Sequence, residues 1–445
     1  MTCPAPAALE DALNHLWSLE PIDPNVLFKT PAFVCLRAVC QDSYANTEWE
    51  QTLNFALLYA LHSLGLPCLQ PLTPTSTLSV PEVAQALDRA FLLETVTWTH
   101  LCPINLASDL PPLKFGPAEL RHFSSKELYN LFGWEQLTRY YPSSLPDLSD
   151  LSQFQWLVVS ETRRAESTAS ARALPAFENI LSAPDPARID PHTNRLPTAV
   201  ERALLFLLLA PWEDWAEMPG IDWRGFTMPW VYSRCDDLFV RPPLPLSAHS
   251  LSWEPHMGTN RFGEEVEWEA PVELPLRDTV AQLPGILSET AWADLQAALR
   301  SPLFETPVTH FLVRAYLADG IDEFLAHLTT LEAALGTKRD YQPRPNADRH
   351  KHLRGATQRM AARVSGLLGS PDYGTMYSRL FDQRSAFLHG RPVQPISVED
   401  RVSARRLARR VVLELIEVAG SSETCSREDW LDTLLAKGAS YRTAR

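Results

Sequence analysis

Two side chains able to handle protons and anions stand five positions apart late in this chain, Arg384 and His389. They lie within Tyr377-Ser378-Arg379-Leu380-Phe381-Asp382-Gln383-Arg384-Ser385-Ala386-Phe387-Leu388-His389-Gly390. Tyr377, Leu380, Phe381, Phe387 and Leu388 recur at three-, four- and seven-residue steps, which predicts the buried face of an amphipathic helix. Arg384 falls on the same stripe, seven residues after Tyr377 and four before Leu388. A guanidinium keeps its proton, so burying one without a partner costs several kcal/mol. His389 exchanges a proton near neutral pH. Cutting a phosphodiester without metal needs a base for the 2′-hydroxyl, an acid for the leaving 5′-oxygen and positive charge at the phosphorane. His389 could move the proton and Arg384 could clamp the phosphate with two donors. A plainer reading of His389 stands beside this one. Gly390 and Pro392 punctuate a helix end, where a histidine is favoured by the helix dipole.

Arginine, a small polar residue, three further residues and then His-Gly resembles the Arg-x(4–6)-His signature of HEPN domains, particularly their Apea-like branch. The resemblance covers roughly residues 305–420, about a quarter of the chain. It takes in a preceding helix ending Leu331-Glu332-Ala333-Ala334-Leu335-Gly336 and a basic helix from Arg349 to Leu368. It implies a metal-independent endoribonuclease leaving 2′,3′-cyclic phosphate, with Arg384, His389 and Ser385 catalytic and no cofactor. Ser385 stands where the family often carries Asn or another polar side chain; its hydroxyl can still orient phosphate or the 2′-hydroxyl. The resemblance also implies a homodimer in which two motifs face each other. By analogy it suggests anti-phage defence or a toxin-like role.

Further residues could support this chemistry. Glu332 borders the stripe of its helix and either pairs with Arg384 or stays solvated. Arg379 and Arg391 flank the motif and are expected to line the cleft from both subunits. Arg405, Arg406, Arg409 and Arg410 form a stripe that is either a solvated face or a contact for RNA phosphates.

Four apolar stripes predict the scaffold that must position the motif. Ile321, Phe324, Leu325, Leu328, Leu331 and Leu335 mark one helix; Leu353, Ala356, Met360, Val364 and Leu367 mark a second. The motif helix is third. Ala404, Leu407, Ala408, Val411, Leu415 and Val418 mark a fourth, with a short tail helix from Ser426 to Lys437. Helices joined by short loops read as a bundle. The expected fold is mainly α, with this bundle at 301–445 and a larger mixed α/β, Trp- and Pro-rich region before it. Residues 1–100 read as helical, with helices over Ala7 to Leu19, Trp49 to Leu66 and Pro81 to Ala90. Residues 101–300 read as mixed, with a helix cap at Ser124, a strand over Phe154 to Val159, a polar linker from Ser160 to Arg195 and a helix from Thr198 to Leu209. Trp212, Trp215, Trp223, Trp230, Trp253 and Trp268 either pack a loop-rich core or stack bases. The acidic run Glu264 to Glu267 favours packing.

Charge divides unevenly along the 445 residues. Residues 301–445 carry 21 Lys and Arg against 17 Asp and Glu, so +4 of the net −14 lies there and −18 lies on the rest. Only the motif-bearing part is electrostatically suited to a polyanion such as transfer or messenger RNA. The acidic part would sense a protein or phage trigger, or restrain the nuclease. No apolar run approaches the roughly 20 residues of a membrane span, and no leader is evident at Met1-Thr2-Cys3-Pro4. Seven cysteines without a Cys-x-x-Cys pair suggest reduced thiols in a cytoplasm and no zinc site. No Walker loop or Gly-rich dinucleotide turn is present. The alternative from another class is a non-catalytic HEPN-like module that binds RNA or protein, which Ser385 favours slightly.

Overall fold

The computed structural model describes residues 7–44, 50–70, 78–166, 172–175, 196–218, 224–342, 353, 355–390, 395–421 and 426–443. Where the sequence suggests three successive regions, the chain groups into two compact units, each assembled from several segments. One comprises Met1–Asn105, His122–Ile189 and Met228–Pro271; the other comprises Leu106–Arg121, Asp190–Thr227 and Val272–Arg445. No helix among the described residues is long and apolar enough to cross a membrane.

The first unit joins a helical layer to a sheet. Helices Ala7–Trp17, Pro31–Tyr44, Glu50–Leu64 and Val80–Phe91 bury Leu13, Phe33, Leu57, Leu87 and Phe91 in one core. Ser79 and Glu82 close a capping box at the start of the last of these. The strand Thr95–Ile104 pairs antiparallel with Gln155–Arg164 on one side and Tyr232–Cys235 on the other. Side chains alternate along these strands. Leu101, Trp156, Val158 and Tyr232 therefore share a face and pack with Phe132 and Leu137. The strand expected at Phe154–Val159 begins one residue later, at Gln155, and runs on to Arg164, into the segment expected to be a linker; most of that segment lies outside the described residues. A hairpin of Trp253–Thr259 with Glu265–Pro271 completes the unit.

The second unit holds the bundle. Its helices include Thr198–Leu207, Trp212–Trp215, Glu289–Ala298, Val308–Leu317, Gly320–Leu335, Ala356–Leu368, Pro371–Leu388, Val398–Ser421 and Arg427–Thr443. The four apolar stripes expected at the C-terminal end coincide with four of these. Two features differ. A helix at Val308–Leu317 precedes the first stripe, and the tail helix extends to Thr443. The basic helix starts at Ala356; its expected first turns fall largely outside the described residues. Backbones approach closely where Gly438 crosses Ala362: a Cβ there would stand 1.7 Å from the Ala362 carbonyl oxygen. Trp212 is fully buried and packs edge-on against Trp215 and Phe226, so Trp212 and Trp215 build core. Trp223 lies outside the described residues.

Candidate active site on the motif helix

The helix Pro371–Leu388 starts cleanly. Ser370 caps it by accepting from the Asp372 amide, and Pro371 supplies a preset φ at the first position. Gly374 permits close packing, since a Cβ there would lie 2.5 Å from the Ala361 carbonyl oxygen. Tyr377 and Leu380 are fully buried. The far end departs from expectation, because Phe387 and Leu388 are 45% and 53% exposed. The reason is length. The motif helix has 18 residues against 13 in its hairpin neighbour Ala356–Leu368. Its last five residues therefore overhang by about 7 Å.

Arg384 sits where the overhang begins. Its Nη1 lies 3.2 Å from Oε1 of Glu332, with side chains 22% and 20% exposed. Its guanidinium stands 5.4 Å from the Phe381 ring centre. Burial pushes the Glu332 carboxyl up, and Arg384 pulls it back towards ionisation. A cation on an apolar stripe thus finds a counter-ion inside one bundle. Arg427 braces the helix that carries Glu332, donating to the carbonyls of Ala333, Ala334 and Gly336 at 2.8, 3.1 and 3.2 Å. Nothing in the local pattern around Arg427 announced this role.

His389 is the C-cap residue, exposed, with its amide donating to the Ser385 carbonyl at 3.1 Å. Gly390 follows at φ +62° and its amide bonds the Phe387 carbonyl, a conformation that suits glycine. Five helical steps put His389 about 140° around the axis from Arg384. Ser385, next to Arg384 in the chain, is half-buried. One bundle therefore presents the imidazole and the guanidinium on different sides of one helix end.

The expected phosphate contacts fare differently. Arg379 is exposed and pairs with Asp400 at 3.1 Å; Asp400 also accepts from Gln383 and Ser397. Arg391 lies outside the described residues. The arginine stripe on Val398–Ser421 turns largely to acidic partners within its own unit. Arg405 is buried 3.8 Å from Glu213, and Arg409 Nε donates to the same carboxylate at 3.1 Å. Arg406 pairs with Asp214, and Arg410 donates to the Tyr373 hydroxyl with its guanidinium over that ring. Neither a solvated face nor an open phosphate ladder describes Arg405 and Arg409. Their four-residue spacing lets both reach one carboxylate from a single helix face.

A second buried ion cluster went unread in the sequence. Arg363 holds Asp340 with two bonds of 2.5 and 3.0 Å, and Arg359 lies 3.6 Å from the same carboxylate. Burial pushes the Asp340 carboxyl up, but the Arg363 guanidinium and the Thr337 hydrogen bonds outweigh it and hold it below its ordinary value. This cluster ties the turn after Gly320–Leu335 to the helix before the motif. Comparisons of the chain with family models, with curated proteins and with solved structures gave no match.

Proposed function

We propose that the bundle is a metal-independent endoribonuclease of HEPN type, with His389 transferring protons and Arg384 stabilising phosphoryl charge. The observation that carries this reading is the overhanging end of the motif helix. It leaves an exposed imidazole one turn beyond a half-buried guanidinium, with Ser385 between them. Exposed Phe387 and Leu388 on the same turn offer apolar area to a second copy. A two-fold partner would bring one subunit's His389 toward the other's Arg384, which a single helix separates. The acidic remainder of the chain would restrain or trigger the nuclease, in a defence or toxin-like setting.

A second reading has its own support. Glu332 already satisfies Arg384, so the motif can also serve as a fixed element of an RNA- or protein-binding module. Incubation of the purified chain with transfer and total RNA in EDTA decides between them. Cleavage leaving 2′,3′-cyclic phosphate and lost in His389→Ala supports the nuclease. Binding without cleavage, unchanged in His389→Ala, supports the module.

A further inference from the structure

A row of three polar side chains crosses the sheet of the first unit and takes no part in the reading above. His100 lies directly opposite Ser233 on the neighbouring strand. Glu161 lies opposite Trp98, two residues from His100, so all three share one sheet face. Ser233 Oγ is 2.8 Å from His100 Nδ1, and His100 Nε2 is 3.2 Å from Glu161 Oε1. The imidazole is 2% exposed and stacks at 12° on the Trp98 ring. Glu161 is anchored in turn by Arg163, whose guanidinium stands 5.8 Å from the Trp98 ring centre.

The order of these contacts has a chemical meaning. A carboxylate only accepts, so the proton on the ring belongs on Nε2, facing Glu161. The Nδ1 lone pair then faces the Ser233 hydroxyl. Burial lowers the proton affinity of His100, which keeps the ring neutral and available as a base. Glu161 compensates the imidazolium that forms when the base acts. Ser233 is half-buried on a strand paired with Thr95–Ile104, its hydroxyl already in contact with its base.

We propose that Ser233, His100 and Glu161 form a second reactive site, independent of the motif helix, in which Ser233 attacks carboxylic esters or similarly activated acyl groups. Ser233 Oγ bonds to the acyl carbon while its proton passes to His100 Nδ1. The carbon–oxygen bond to the leaving alcohol then breaks, and the alcohol takes that proton. Water repeats the sequence in reverse, freeing the acid and restoring the serine. Trp98 and Arg163, beside His100 and Glu161, suit an acyl group with aromatic or anionic character.

The full chain treated with a fluorophosphonate probe tests the site. The probe traps an activated serine as a phosphonyl ester with loss of fluoride, and mass spectrometry of peptides locates the adduct. The expected result is an adduct on Ser233, absent in Ser233→Ala and formed about a hundredfold more slowly in His100→Ala. Glu161→Gln should slow it less while leaving the adduct at the same residue. Because losing a buried histidine can unfold the sheet, Ser233→Cys supplies a second readout. Its alkylation by iodoacetamide should keep its rate below the ordinary thiol range of pH. No adduct on Ser233 in the folded wild type, or an ordinary thiol profile in Ser233→Cys, overturns the proposal and leaves a hydrogen-bonded sheet network.

Discussion

Glu332 and Arg384 meet at 3.2 Å across two helices of one bundle, each side chain about one-fifth exposed. The pair answers the electrostatic problem posed by an arginine on an apolar stripe, and it does so without a second subunit. Removing one partner alone leaves the other poorly compensated. Arg384→Ala should cost about 1–3 kcal/mol of unfolding free energy. In a Glu332→Gln background the same change should cost less, with a coupling of about 1 kcal/mol. Urea unfolding of the four proteins measures this. Simple additivity would show that the contact contributes nothing to folding.

The overhanging turn makes a separate prediction about assembly. If Phe387 and Leu388 pack against a second copy, the full-length chain sediments as a dimer at micromolar concentration. Phe387→Asp together with Leu388→Asp should yield a folded monomer with an unchanged helical signal. A wild-type protein that sediments as a monomer removes the shared-cleft arrangement and leaves the single bundle with its internal Glu332 pair.

Acid should weaken the second unit through His327. This side chain is 3% exposed, 3.8 Å from Glu323, and surrounded by Arg405 and Glu213. Burial lowers its proton affinity below the ordinary value of 6.5. As pH falls through 6.5 the unfolded chain takes up a proton that the folded one refuses, so stability declines. Above that value the histidine is neutral in both states and its contribution is flat. Melting temperatures at about pH 7.5 and about pH 5.5 should differ by less in His327→Gln than in wild type. His62 and His100, also lowered by burial, add to the wild-type slope in the first unit and remain in the variant.

Gly438→Ala should be among the most damaging single methyl additions in this protein. The new carbon would meet backbone, which cannot swing aside as a side chain does. The expected cost is about 3 kcal/mol, the upper end for overpacking. Gly420→Ala, with nothing within 4 Å, is the matched control in the same unit. Equal stability of the two variants in thermal unfolding would show that the helices separate without penalty.

Periodicity made the bundle legible because apolar residues recur at helical spacing along its helices. Gly320–Leu335, Ala356–Leu368 and Val398–Ser421 bury most of their expected apolar residues, with Ile321, Leu325, Ala356 and Val418 only half-buried. The same reasoning overreached at Phe387 and Leu388, since a stripe says which face is apolar but not how far the neighbouring helix extends. The ion pairs were harder still. Glu332 with Arg384 was within reach, because both residues lie on adjacent stripes. Glu213 lies 196 positions before Arg409 in a segment read as irregular, and no local pattern links them. The row of His100, Glu161 and Ser233 depends on strand register, which spacing within single strands does not reveal.

The crossing at Ala362 and Gly438 also orders events in time. Ala356–Leu368 is walled on one side by the motif helix, which follows it at once in the chain. Its other wall, Arg427–Thr443, leaves the ribosome only after the whole arginine-rich helix has been made. During that interval the small-residue face around Ala362 and Gly366 has no cover, and the carbonyls that Arg427 later seals remain open to water. The bundle thus completes itself last, at the helix farthest in sequence from Gly320. A bundle assembled this way would stay unfinished while its own message is being read.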